Sequence, residues 1–222
     1  MAVWKTSFAG NSYLGLFAKA SDRLALIPKS SPPKFEEKAK GLGVEIAKTS
    51  VGGSPYLGVY FAMNSRGIVV PPFLTKQEIS ELKATGLEVM VVEDTRFCAL
   101  GNNIACNDSG AVANPDMPKN VLDEISEALG VEVHARTIAG YKTVGMMAVA
   151  TSKGWVGHNR MTDEDAVALE MIFKAKGRNT TVNSGAAMVG LGVVANSKSA
   201  LCGENTTGFE VGRLEEGLDL IK

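Results

Sequence analysis

The sequence predicts an α/β fold: five pseudo-symmetric β-β-α-β repeats closed into a ring by the N-terminal strand. Three recurring signals predict it. Residues 5–15, KTSFAGNSYLG, are nearly repeated at residues 48–58, KTSVGGSPYLG, and the closing glycine recurs as Gly15, Gly58, Gly101, Gly145 and Gly190, each after Leu or Val. A polar turn follows each glycine and precedes an apolar run: SDRLALIP from Ser21, NSRGIVVPP from Asn64, NDSGAVANP from Asn107, TSKGWVGHN from Thr151 and NSKSALCG from Asn196. Helix ends recur at Gly43, Gly86, Gly130 and Gly177.

Each module opens with an apolar segment through the marker glycine, such as residues 56–63. The polar turn and a second apolar run, such as residues 67–70, complete a strand pair, with Asn-Ser or Asn-Asp as turn formers. A helix comes next. In module two Thr75 is the N-cap, Glu78 completes a capping box, Ile79 and Leu82 share a face and Gly86 fits the position after the helix. In module three Pro118 suits the first turn, and Val121, Leu122, Ile125, Ala128 and Leu129 form an apolar stripe. Module four starts at Thr162, with Asp163, Glu164 and Asp165 near the positive helix end. Its expected apolar face is Val167, Leu169, Met171, Ile172 and Phe173. In module one Pro32 and Pro33 lead into a short helix over residues 35–40. Returning strands are expected at residues 44–47, 87–91, 131–135 and 180–182.

Module five breaks the pattern, because the segment after Cys202 is too short for a normal helix plus a returning strand. Residues 2–7 align with residues 45–50, the returning strand of module one, so the N-terminus is expected to supply the missing strand. The repeats run over about 8–50, 51–93, 94–137, 138–182 and 183–222 with 1–7, making residues 1–222 one ring domain. Closure would leave no open sheet edge to pair with other chains.

Composition narrows the function. With 45% hydrophobic residues, no apolar run of bilayer length and no signal-like N-terminus, the expectation is a cytoplasmic protein without a membrane segment. A net charge of −1, from 23 basic and 24 acidic residues, argues against binding DNA or RNA mainly through a basic surface. Cys98, Cys106 and Cys202 suggest neither a disulfide framework nor a zinc site, and Cys98 and Cys106 are expected as ordinary buried thiols. No GxxxxGK[ST] loop occurs. No cofactor and no metal are expected.

The opening MAVWKTSF, the segment ALGNNIACND at residues 99–108 and the tail SALCGENTTGFE at residues 199–210 resemble the translation initiation factor 6 family in its archaeal form. The resemblance covers essentially the whole chain. It implies the five-bladed α/β propeller called a pentein. It also implies a monomer that binds the intersubunit face of the large ribosomal subunit, on a ribosomal protein beside the sarcin–ricin loop and with rRNA as a further contact. There such factors block joining of the small subunit, and in eukaryotes they accompany maturation of the large one. Eukaryotic members carry a further C-terminal tail, and regulation through it is not expected here.

Symmetry gathers at one end of the ring the five turns that lead from a returning strand into the next module. Those turns offer Asn11, Pro55, Arg96, Tyr141 and Ala186 as candidate ribosome-binding residues. Just beyond the marker glycines come Leu16, Val59, Asn102, Met146 and Leu191. Asn102 stands out, since a buried Asn needs partners to offset desolvation and it matches the Asn of the family's ALGN segment. Tyr141 and Arg96 are the turn residues most like interface anchors by type. The same ring hosts guanidine-modifying enzymes with a nucleophilic Cys, so that alternative is tested on Cys202, His134 and His158. The lack of Asp and Glu in residues 56–63, 142–150 and 188–195 speaks against it.

Overall fold

The computed structural model describes residues 2–221. Their strands form five three-stranded sheets. In module two, Ala62–Met63 and Gly67–Val70 make an antiparallel pair, and Glu88–Val91 returns parallel to the second strand. A parallel return needs a crossover, and the helix Lys76–Ala84 provides it. Module one repeats the order with Lys19–Ala20, Leu24–Pro28 and Glu45–Thr49 around the helix Pro33–Ala39. Module three uses Ile104–Cys106, Ala111–Ala113 and Val133–Ala135 with the helix Lys119–Leu129. Module four uses Ala148–Ala150, Gly154–His158 and Lys176–Thr180 with the helix Asp163–Phe173.

Module five pairs Val193–Ala195 with Ala200–Gly203, and its third strand is Val3–Thr6, in parallel register from Val3 opposite Ala200 to Thr6 opposite Gly203. The expected strand donation is therefore present. The segment after Cys202 does hold a helix, Gly208–Gly217, capped by Thr207 and Glu210. Only the returning strand comes from the other end of the chain.

The core lies between modules. The second strands Leu24–Pro28, Gly67–Val70, Gly154–His158 and Ala200–Gly203 are buried throughout, as strands covered on both faces must be. Val69 of module two packs in one cluster with Val121, Ile125 and Leu129 from the helix of module three. Val112 of module three clusters with Leu169 and Phe173 of module four, and Val156 of module four with Leu214 of module five. Leu201 of module five clusters with Phe35 of module one, and Leu26 of module one with Leu82 of module two. Each helix thus covers its own sheet and seals against the preceding module. Fully burying side chains such as Phe35 and Phe173 stabilises this contact by about 1.5–3 kcal/mol each.

Three local expectations are corrected. The marker glycines do not lie on strands. They sit in single helical turns, Leu14–Leu16, Leu57–Tyr60, Leu100–Asn103, Val144–Met147 and Val189–Gly192. The residue is glycine because backbones meet there: a Cβ on Gly58 would lie 1.8 Å from the Gly15 carbonyl oxygen, and one on Gly15 would lie 2.1 Å from that of Gly190. Gly177 does not end the module four helix, for Lys174 takes the left-handed conformation (φ 51°) and Gly177 lies within the returning strand. There a Cβ would strike the Trp155 ring at 2.1 Å. On that helix Val167 and Met171 are 57% and 70% exposed, because the buried stripe is Ala168, Leu169, Ile172 and Phe173.

Candidate interaction surface

The turns before modules one, two, four and five close as tight bridges, Phe8–Asn11, Val51–Ser54, Ile138–Tyr141 and Val182–Ala186. Three of them are gripped from beneath by the third residue of a helix. The Glu78 carboxylate accepts hydrogen bonds from the Gly52 and Gly53 N–H groups, the Ser50 hydroxyl and Thr75. Glu210 does the same for Ser184, Gly185 and Thr181, and Asp165 for Ala139 and Arg136. Each carboxylate also completes the capping box of its own helix. Burial alone would push the Glu78 carboxyl up, but the hydrogen bonds from Gly53, Ser50 and Thr75 hold it down at about 2.

Modules one and three start their helices at proline and lack such a carboxylate. Before module one, Phe8 instead stacks on Phe17 at 4.1 Å and meets Phe35 edge-on at 5.2 Å. Phe17 in turn stacks on Tyr56 at 5.3 Å. Before module three, the segment Thr95–Phe97 forms a short helical turn capped by its own Asp94.

The five residues after the marker glycines, Leu16, Val59, Asn102, Met146 and Leu191, are all half-buried. Backbone contacts put them side by side: Cβ atoms on Gly145, Gly190 and Gly15 would meet Asn102, Met146 and Leu191 at 3.1, 2.9 and 3.0 Å. Asn102 is therefore only partly buried. Its neighbour Asn103 is the one that is buried, with its Nδ2 donating to the Ala99 carbonyl and its Oδ1 accepting from Asn114. Leu16, Leu191, Tyr141 and Ala186 line one surface hollow together with Tyr13 and Met188. Pro55 is half-buried in its turn.

Two of the candidate residues, Asn11 and Arg96, also bond within their own turns. Asn11 Oδ1 accepts from the Tyr13 N–H at 2.8 Å. Arg96 donates from Nε and Nη2 to the two Asp94 oxygens, at 3.0 and 2.6 Å, which uses one edge of its guanidinium and leaves Nη1 exposed. Missed by the sequence reading are Tyr13, Tyr56 and Met188, all exposed and all two residues before a marker glycine. The repeated YLG of the first two modules carried that signal.

Neither the buried Cys202 nor the half-buried Cys106 is activated. Cys202 lies in a hydrophobic cluster with Val3 and Leu214, and burial pushes its pKa up to about 11. Cys106 donates to the Met63 carbonyl, and burial pushes it up to about 12. Cys98, expected as buried, is half-exposed, with Sγ 3.1 Å from the Thr95 carbonyl. His158 is packed against Tyr141 at 5.2 Å, and burial, then Arg160, lower its pKa. Its Nδ1 accepts from the Arg160 N–H. His134 is half-exposed beside Glu132. Among the described residues no group of three or more His, Cys, Asp or Glu could hold a metal ion, and no helix is long and apolar enough to cross a membrane.

A model of the eIF-6 family matches residues 3–217. Translation initiation factor 6 of Methanosarcina mazei is 45% identical over 101 residues, 46% of this chain and 46% of that protein. The Staphylothermus marinus factor is 42% identical over 97 residues, 44% of this chain and 43% of its own length. The Methanocaldococcus jannaschii factor is 41% identical over 100 residues, with 44% and 43% covered. The aligned stretch spans less than half of each of these curated relatives. The family match, by contrast, runs through all five modules, and on it the chain belongs to the eIF-6 family.

Proposed function

We propose that residues 1–222 form a single closed ring of five modules, a pentein-type α/β propeller. Its turn-bearing end docks on the intersubunit face of the large ribosomal subunit in the cytoplasm. The docked factor, acting as a monomer, occupies the surface that the small subunit needs. No bond is made or broken, and no cofactor takes part. The partner is a ribosomal protein beside the sarcin–ricin loop, with rRNA as a further contact, and large-subunit biogenesis is a second setting for the same docking.

The observation that carries this reading is the family match over residues 3–217, together with relatives named translation initiation factor 6. The geometry supports the choice of end. Tyr13, Tyr56, Tyr141 and Met188 are 37–45% exposed there, and aromatic and Met side chains are enriched at interfaces. A stable interface takes about 800 Å² from each partner, a small part of the 9262 Å² accessible surface.

The test adds the purified protein to separated archaeal subunits and resolves the mixture on a sucrose gradient. The expected result is co-sedimentation with large subunits and loss of the joined-ribosome peak. Unchanged joining at saturating protein rules the reading out.

A further inference from the structure

The hollow that Tyr141 and Ala186 share at the turn-bearing end has one side of a different chemistry. Its space is about 580 Å³, within the roughly 300–1,000 Å³ of pockets that enclose a ligand. Most of the wall is apolar or aromatic, from Tyr13, Leu16, Met188 and Leu191. The polar side is His158, Asn159 and Arg160, where the second strand of module four ends. No Asp or Glu lines the hollow.

His158 closes the buried strand Gly154–His158 and is only 4% exposed. Its Nδ1 accepts from the Arg160 N–H at 3.0 Å, so the neutral ring carries its proton on Nε2. Burial, then the Arg160 charge, favours that neutral form. Among the described residues Nε2 has no hydrogen-bond partner, and it is not sealed off from the hollow that the ring lines. A donor held on a buried ring calls for an acceptor. The Arg160 side chain is exposed and forms no salt bridge among the described residues. Two other cations of this end are already paired, Arg96 with Asp94 and Lys142 with Asp116.

A phosphate backbone is held by several cations, and this hollow offers one. An apolar wall beside two donors and a single uncompensated positive charge matches a carboxylate carried next to a large apolar side chain. We propose that the hollow is the anchor pocket for the ribosomal protein. It receives an apolar side chain of that protein against Tyr13, Leu16 and Leu191, and an adjacent Asp or Glu carboxylate on His158 Nε2 and Arg160. The inference rests on the docking end proposed above and names the chemistry that this end reads in its partner. Hydrogen bonds to an ionised acceptor are the stronger kind, and a central desolvated pocket is where binding energy concentrates.

Two measurements separate this inference from the docking itself. The first titrates nitrogen-15-labelled protein with the blocked peptide acetyl-Leu-Asp-Leu-amide, its Asn counterpart and a uridine hexamer. The Asp peptide should shift the His158 Nε2 and Arg160 Nε resonances and bind about tenfold more tightly than the Asn peptide. Equal affinity, no shift at millimolar peptide, or preference for the uridine hexamer overturns the proposal. The second measures affinity for large subunits by co-sedimentation. Arg160→Glu should lose about tenfold or more, and Arg160→Lys should stay within about threefold of wild type. His158→Phe, which keeps a ring but lacks the donor, should lose about threefold or more. If Arg160→Glu binds as wild type does while Asn102→Arg does not, the pocket is overturned and the docking end stands. If wild type takes the Asp peptide at His158 and Arg160 but ignores large subunits, the pocket's chemistry is upheld and its assignment to the ribosome is overturned. Arg160 is exposed, so its variants decide the matter even if His158→Phe does not fold.

Discussion

The two ends of the module array invert the usual placing of polar and apolar groups. At one end, Asn64, Asn107 and Asn196 are buried. Each uses Oδ1 to accept two N–H groups of its own turn, as Asn107 does from Ser109 and Gly110. Each turns Nδ2 to the next module's helix end: Asn64 to the Leu129 carbonyl, Asn107 to that of Phe173 and Asn196 to that of Leu42. At the other end, tyrosines and a methionine face solvent above turns held by Glu78, Asp165 and Glu210. The first end spends its polar groups on joining modules. The second buries its capping carboxylates beneath the turns and leaves aromatic and Met side chains exposed beside Asn11, Arg96 and Lys142. On the function proposed above, stability and partner contact fall to different residues, and that division can be broken by experiment.

The largest effect should come from neither end. Removing residues 2–6 takes the third strand from module five. Stability should fall by more than about 4 kcal/mol, read as a collapsed melting transition in calorimetry. An unshifted transition would mean that the pairing of Val3–Thr6 contributes nothing.

At the asparagine end, Asn107→Ala removes the hydrogen bonds to four backbone groups, three of them buried. The expected loss is about 2–4 kcal/mol in urea unfolding, with the folded fraction still binding large subunits. Beneath the turns, Glu78→Gln should cost about 1.5–3 kcal/mol. Its carboxyl is held at about 2 in the folded protein against an ordinary value of 4.5. The carboxylate's contribution is therefore complete above pH about 4.5 and is lost as pH falls towards about 2. An acid titration followed by circular dichroism should show wild type and variant converging over that window; parallel curves would remove Glu78 from the account.

The smallest effect on stability, and the largest on binding, is expected at the half-buried Asn102 and the exposed Tyr141. Asn102→Arg and Tyr141→Ala should each change stability by no more than about 0.5 kcal/mol. Each should weaken co-sedimentation with large subunits by about tenfold or more. A variant that melts early and binds normally would reverse the division between the ends.

The modular plan was legible because it is written in residues whose physics is local. Asn after a short apolar run makes a turn, Thr75 with Glu78 starts a helix, and the KTS copies align two returning strands. What stayed hidden concerns contacts between modules. A four-residue apolar run such as Leu57–Tyr60 reads equally as strand or helical turn. Its Gly58 is explained only by the Gly15 backbone, 43 positions earlier in the chain. Gly177 was mistaken for a helix end because the ring that forbids a side chain there belongs to Trp155. The second task of Glu78, holding the preceding turn, is likewise invisible in a capping-box pattern. Among the candidate surface residues, type suggested Arg96 as an anchor but did not reveal that Asp94, two positions earlier, takes the Nε and Nη2 edge of its guanidinium.

The parallel pairing of Val3–Thr6 with Ala200–Gly203 also has a bearing on biosynthesis. Residues 3–6 are made ahead of their partners and must wait, with their amides unmatched, until residues 200–203 have followed them. Four modules can settle in turn behind them, but the last cannot finish before translation has passed its second strand. A product interrupted before residues 200–203 would thus lack a complete fifth module and keep a bare strand open to pairing with other chains.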